Sequence, residues 1–209
     1  MKIALEMLLI LAAYLLGSIP FGYIFTKKYT GKNIRDYGSG NIGSTNVKRV
    51  AGKKVALLTQ LADMFKGLLP VVAVWFIGTY HLFDFHTYTV YAVALATILG
   101  HNFSIFLRFK GGKGVNTTLG ASLWLAPAPV LLSVVVYYIT KWSTKYVSLG
   151  SILLAVTLVL SGLLIYSVTY LFYYLLICWD PSRLDIFLQR NIPARTFAIT
   201  VVAISDRPM

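Results

Sequence analysis

The sequence predicts an all-α polytopic membrane protein of about seven transmembrane helices, some of them short, with the amino terminus outside and the carboxyl terminus inside. Three observations lead there. Of 209 residues, 57% are hydrophobic and 12% charged, half the charge of an ordinary soluble domain. Apolar runs able to cross a bilayer, roughly 20 residues each, fill 3–25, 55–80 and 88–107, and then 115–179 with a break only around Lys141 and Lys145. The net charge of +12 is also unevenly placed. Segment 27–54 holds eight Lys/Arg against the single acid Asp36, and loop 108–114 adds Arg108, Lys110 and Lys113. The turn 79–87 has no Lys or Arg and one acid, Asp84. The positive-inside rule therefore puts both basic segments in the cytoplasm and the turn outside.

Taken in order, the first apolar run lacks a small-x-small cleavage site and is followed by further spans, so it reads as a retained helix rather than a removed signal. Spans two and three flank the acidic turn. Beyond Gly114 two counts are open. Pro127 and Pro129 interrupt 115–140, and proline removes a helix donor. Residues 146–179 as one helix would measure about 50 Å at 1.5 Å per residue, more than a core of roughly 30 Å. Splitting both stretches, the second at Ser161–Gly162, gives seven spans with Lys141 and Lys145 inside. Splitting neither gives five with those lysines outside. The charge rule favours seven. The whole, 1–209, reads as one integral membrane domain with two glycine-rich loops, 37–49 and 109–118, and a tail, 180–209.

The first loop contains Gly38-x-Gly40-x-x-Gly43 within "YGSGNIGSTNVKR". A dinucleotide fingerprint of that spelling has to follow a strand inside a βαβ unit, and here its flanks are a transmembrane run and a basic amphipathic segment. What the stretch offers is anion chemistry. Its glycines allow successive N–H groups to converge in a nest, Ser39, Asn41, Ser44, Thr45 and Asn46 are neutral donors, and Lys48 and Arg49 bring charge. The alternative is a plain turn with topogenic cations that touch lipid headgroups. The second loop, "FKGGKGVNTT", has Gly111, Gly112, Lys113 and Gly114. A helix starting near Val115 would aim its positive dipole end at that loop. It is no Walker A motif, since GK[ST] does not occur.

Asp63 and Lys66 stand at i, i+3 within span two. Charges inside a membrane are costly and commonly functional, so this pair is expected to line the site, mutual neutralisation being the alternative. With one cysteine, Cys178, and three histidines (His81, His86, His101) at no metal-ligand spacing, neither a disulfide nor a metal site is expected. No cofactor and no nucleic-acid partner is expected either.

"GSGNIGSTNVKR", "LADMFKG" and "GHNFSIFLRFKGGKGV" closely resemble the bacterial acyl-phosphate:glycerol-3-phosphate acyltransferase (PlsY) family. The resemblance covers about 14–149. It implies a multi-pass enzyme of the plasma (inner) membrane with seven spans and a cytoplasmic-face site. The implied reaction moves a fatty acyl group from acyl phosphate to the 1-hydroxyl of glycerol 3-phosphate, giving lysophosphatidic acid. The family's essential serine and arginine match Ser39 and Arg49. Its glycerol-phosphate-binding glycines and lysine match Gly111, Gly112, Lys113 and Gly114. A third family motif, His-Arg-x-Asn-Ile, has no full counterpart here: no histidine follows His101, and Asn191-Ile192 is the nearest remnant.

An acyl phosphate is already activated, so the protein has to align hydroxyl and carbonyl and neutralise phosphate charge. Ser39 has no base beside it in sequence and reads as a hydrogen-bonder, with a covalent nucleophile as runner-up. His101 reads either as a proton acceptor or as a structural helix-end histidine. Asn41, Thr45, Asn46, Lys66 and His101 join the glycines and Lys113 of the second loop as substrate-binding candidates, with Asp63 and Asn191 as further ones. A transporter would place such loops near the midplane on broken helices. An acyl-CoA-dependent acyltransferase would show HxxxxD, which none of the three histidines opens.

Overall fold

The computed structural model describes residues 2–179 apart from 81, 84 and 87. His81, Asp84, Asn191 and the tail 180–209 therefore lie outside the described residues. Among the described residues the regular elements are seven α-helices: α1 (Lys2–Ser18), α2 (Phe21–Thr30), α3 (Ser44–Thr79), α4 (Thr89–Asn102), α5 (Val115–Leu125), α6 (Pro127–Thr144) and α7 (Val147–Trp179). Single 3-10 turns sit at Ile34–Asp36 and Ile105–Leu107. Four stretches among the described residues are long and apolar enough to cross a membrane: Lys2–Thr30, Ser44–Thr79, Thr89–Leu107 and Val147–Ser167. One compact unit, Met1–Ala155, holds α1 to α6 and the first turns of α7, and a second unit begins at Val156.

Within the first unit α1 lies on α4 and α3 on α5. Lipid gives helices no hydrophobic reason to associate, so close backbone approach through small residues has to supply the contact. Here Gly17 faces the backbone of Thr97, Gly100 that of Tyr14 and Ser18, Gly67 that of Thr117 and Ala121, and Gly120 that of Met64. A Cβ at any of the four would overlap main chain. Small residues and valines fill the core between these helices: Ala13, Val71, Val74, Val93, Ala94, Ala96 and Ala121. Leucines and aromatics such as Leu11, Leu69, Leu95, Phe65 and Tyr91 point outward, as lipid-facing surface does.

The break between α1 and α2 falls at Ile19–Pro20, where proline lacks the N–H that would continue the ladder. Carbonyls left open in hydrocarbon need partners. Ser104 Oγ donates to the Ser18 carbonyl at 2.5 Å, and Lys66 Nζ donates to that of Ile19 at 2.8 Å. One long helix, α3, also bends: Gly52 has φ 84°, outside helical geometry. That bend separates the basic segment 44–51 from the spanning part.

After Gly114 the helix breaks follow neither of the two patterns offered by the sequence. The first stretch is split, since α5 stops at Leu125 and Pro127 opens α6. The second is not, since α7 runs through Ser161 and Gly162 without interruption. The break expected there is corrected on physical grounds. A helical glycine costs only about 1 kcal/mol relative to alanine, while unpaired backbone in an apolar medium costs several. Ser161 Oγ meanwhile donates back to the Thr157 carbonyl at 2.5 Å, a bond that the helix tolerates.

Candidate active site

The first loop is built around one buried side chain. Asn46, at 2% exposure, accepts from the Ser39 N–H at 3.1 Å through Oδ1. Its Nδ2 donates to the carbonyls of Tyr37 and Asn41, both at 3.0 Å, and of Ile34 at 3.4 Å. Gly38 (φ 61°) passes so close to Asn46 Oδ1 that a side chain there would overlap it. Asn41 Oδ1 in turn accepts from the Gly43 N–H at 2.8 Å, and the Gly40 N–H donates to the Tyr37 carbonyl at 3.1 Å. The amides of Ser39, Gly40 and Gly43 are thus engaged within the loop. These three amides are therefore not available to the expected nest, and Gly38 lets the loop fold over Asn46. Beneath it Ile34, Ile42, Val47, Val55, Ala56 and Leu107 form an apolar seat.

The second loop repeats this in another form. Gly111 and Gly112 donate to the carbonyls of Asn102 and His101 at 3.1 and 3.0 Å. Side chains at either position would run into the end of α4, at Gly112 into the imidazole of His101 itself. Gly114 takes the left-handed φ of 72° and opens α5 at Val115. The N-terminal start of α5 expected beside the loop is present. The two loops meet: Asn116 Nδ2, on the first turn of α5, donates to Ser44 Oγ, on the first turn of α3, at 3.3 Å.

Between them lies a cavity of about 660 Å³. Its wall includes Ser39, Asn41, Thr45, Asn46, Arg49, Asp63, His101, Lys113 and Gly114, all singled out in the sequence. Lys66, Gly111 and Gly112 do not reach the wall; they hold what does. Lys66 Nζ sits 2.9 Å from Asp63 Oδ1, and both side chains are almost fully buried. On the same carboxylate oxygen, His101 Nδ1 lies at 3.6 Å. Asp63 thus stands between a lysine that secures the α1–α2 break and a histidine at the end of α4. It pairs with the lysine and lies near the histidine, and since Asp63 and His101 both line the wall the Asp63–Lys66 pair belongs to the cavity.

Charge in the wall is one-sided. Among the described residues Lys48, Arg49, Lys53, Lys113 and Lys141 line it against one acid, Asp63, which Lys66 already balances. Such a cavity favours polyanions. Its far wall comes from α6 and α7, through Val134, Tyr137, Tyr138 and Lys141 and through Val147, Ser148, Ser151 and Leu154. These residues have no loop motif to betray them. Their only signal is helical spacing, i, i+3, i+4, i+7 on α6 and i, i+1, i+4, i+7 on α7, which marks one face of each. Asn116, which also lines the cavity, carries no sequence signal beyond its place just after the second glycine cluster.

The sequence matches the family described as glycerol-3-phosphate acyltransferase over residues 7–183. A glycerol-3-phosphate acyltransferase of Clostridium acetobutylicum is 47% identical over 150 residues, 71% of this chain and 76% of its own. The chain belongs to the glycerol-3-phosphate acyltransferase family. It is a multi-pass membrane acyltransferase, and the match takes in both loops, Asp63, Lys66, His101 and the α6–α7 face. Among solved acyltransferases, the integral membrane protein PlsY (YgiH) in its glycerol 3-phosphate form superposes with a TM-score of 0.69 at 36% identity, covering 76% of each chain. Its lysophosphatidic acid form gives 0.63 at 35%, with the same coverage.

Proposed function

We propose that this acyltransferase moves a fatty acyl group from acyl phosphate to the 1-hydroxyl of glycerol 3-phosphate, in the inner membrane, at the cavity between its two glycine-rich loops and facing the cytoplasm. The observation that carries the reading is the cavity wall, where five cations from α3, α6 and the second loop face one acid that Lys66 already balances. Each substrate brings a phosphate of about −1.5 to −2 charge at neutral pH. Two of them in one site need this surplus.

In the reaction the glycerol hydroxyl oxygen attacks the acyl carbonyl carbon, and the bond from that carbon to the phosphate oxygen breaks. The products are lysophosphatidic acid and inorganic phosphate, and the hydroxyl proton leaves with the phosphate. Phosphate is a good leaving group once its charge is met, so Arg49 and Lys113 supply electrostatic stabilisation, Arg49 through its two-pronged fork. Ser39 and Thr45 offer hydroxyl hydrogen bonds at the exposed lip. His101, buried beside Asp63, stands at the inner end. Asn46 acts by shaping the loop that carries Ser39.

The amino terminus outside and both loops inside follow from the charge pattern. Lys141 and Lys145, at the end of α6, then belong on the loops' side, since Lys141 shares their cavity. The seven-span count needs a crossing beyond those that an unbroken α7 supplies. The reading is tested with purified protein in lipid vesicles, labelled glycerol 3-phosphate, and either acyl phosphate or acyl-CoA. Lysophosphatidic acid is expected from acyl phosphate alone. Product from acyl-CoA instead would reject the donor, and uptake of label without acylation would reject the enzyme.

A further inference from the structure

We infer that Lys141, on the last turn of α6, is a phosphate-binding residue of this cavity, contributed from outside both glycine-rich loops. The inference rests on the reading of the cavity as the acyl-transfer site. Lys141 lies 141 − 113 = 28 residues beyond the nearest cavity-lining loop cation, and by sequence it is a topogenic lysine beside Lys145. The structure separates the two. Lys145 is exposed, takes the left-handed cap of α6, and is not part of the cavity wall. Lys141 is half-buried and does line it. Its Nζ stands 5.6 Å from the Tyr137 ring centroid and 5.4 Å from that of Tyr138, both rings being cavity residues on the same helical face. The two rings attract the ammonium toward the cavity face, and no carboxylate pairs with it among the described residues.

An ammonium in a cavity wall with no carboxylate partner is suited to an anion from solution. The α6–α7 face around it is graded. Lys141 is at the loop end, Tyr138 and Ser151 come next, and Val134 and Leu154 lie one to two turns deeper. The ligand chemistry is a phosphate group, free on glycerol 3-phosphate or at the head of a single-chain amphiphile such as the acyl donor.

Lys141→Gln, Lys141→Arg and the control Lys145→Gln separate these sources. Initial rates are measured against each substrate in turn. Thermal unfolding is followed with glycerol 3-phosphate or with dodecyl phosphate, a donor mimic that does not react. Lys141→Gln should raise one Michaelis constant roughly tenfold or more, as the loss of a charge-assisted contact does. It should weaken protection by the matching phosphate, while Lys145→Gln behaves as wild type. Lys141→Arg should recover much of both. A rise for glycerol 3-phosphate places the contact on the acceptor, and a rise for the acyl phosphate places it on the donor. Unchanged constants and unchanged protection in Lys141→Gln would overturn the assignment. The protection arm reads the contact without turnover, so failure of the acyl-transfer reading shows separately, as wild-type protein that binds phosphate but makes no lysophosphatidic acid.

Discussion

Arg49 and Asn46 sit three positions apart and do different work. Arg49 is exposed on the cavity wall, where Lys would keep the charge but lose the fork. Arg49→Lys is expected to lower kcat/KM roughly tenfold or more, the rate equivalent of a charge-assisted hydrogen bond, with the unfolding midpoint unchanged. Wild-type kinetics would reduce Arg49 to a topogenic charge. Asn46 is buried and holds the loop through four hydrogen bonds. Asn46→Ala leaves buried groups unpaired at about 1–3 kcal/mol, so it should lower the unfolding midpoint as well as the rate. A stable but inactive Asn46→Ala would instead argue for direct substrate contact. Both residues were legible in the sequence as loop polar groups. Their division of labour was not, because whether a side chain meets ligand or backbone depends on where the chain turns after Gly38.

At the level of helices, the small-residue contacts and the continuity of α7 each make a prediction. Gly120 lies against the backbone of Met64, one position from Asp63. Gly120→Leu has to push α5 from α3, at a cost typical of overpacking, about 1–3 kcal/mol or more. It should also disturb His101 through Asp63, so stability and rate should fall together. Gly162 has the opposite expectation. Inside an unbroken helix, Gly162→Ala should be neutral or stabilising by up to about 1 kcal/mol, read from the unfolding midpoint. Marked destabilisation would revive the break at Ser161–Gly162. Helix existence was readable from apolar runs, and so was the split at Pro127, because proline acts locally. The continuity of α7 was not, because length against bilayer thickness weighed more in the sequence than the small cost of one glycine. The Asp63–His101 contact was hidden for another reason: the two residues are brought together by α3 and α4, and no spacing rule links them.

For the molecule as a whole, the claim is that charge asymmetry set the topology and the topology put two loops into one anion-binding cavity. In a Cys178→Ser background, cysteines at Thr45, Lys113 and Lys145 should be labelled from the cytoplasmic side, and one at Asp84 only from outside. Opposite labelling of Thr45 and Lys113 would dissolve the shared site. The composition already pointed to a membrane protein and the loops to phosphate. The far wall of α6 and α7 was silent, since its aromatics read as ordinary membrane helix. The most direct test is a stoichiometry. Purified protein in lipid with acyl phosphate and glycerol 3-phosphate should release one inorganic phosphate for each lysophosphatidic acid formed, and neither without both substrates. Phosphate release that continues without glycerol 3-phosphate, or product formed without phosphate release, would contradict direct acyl transfer from acyl phosphate in this cavity.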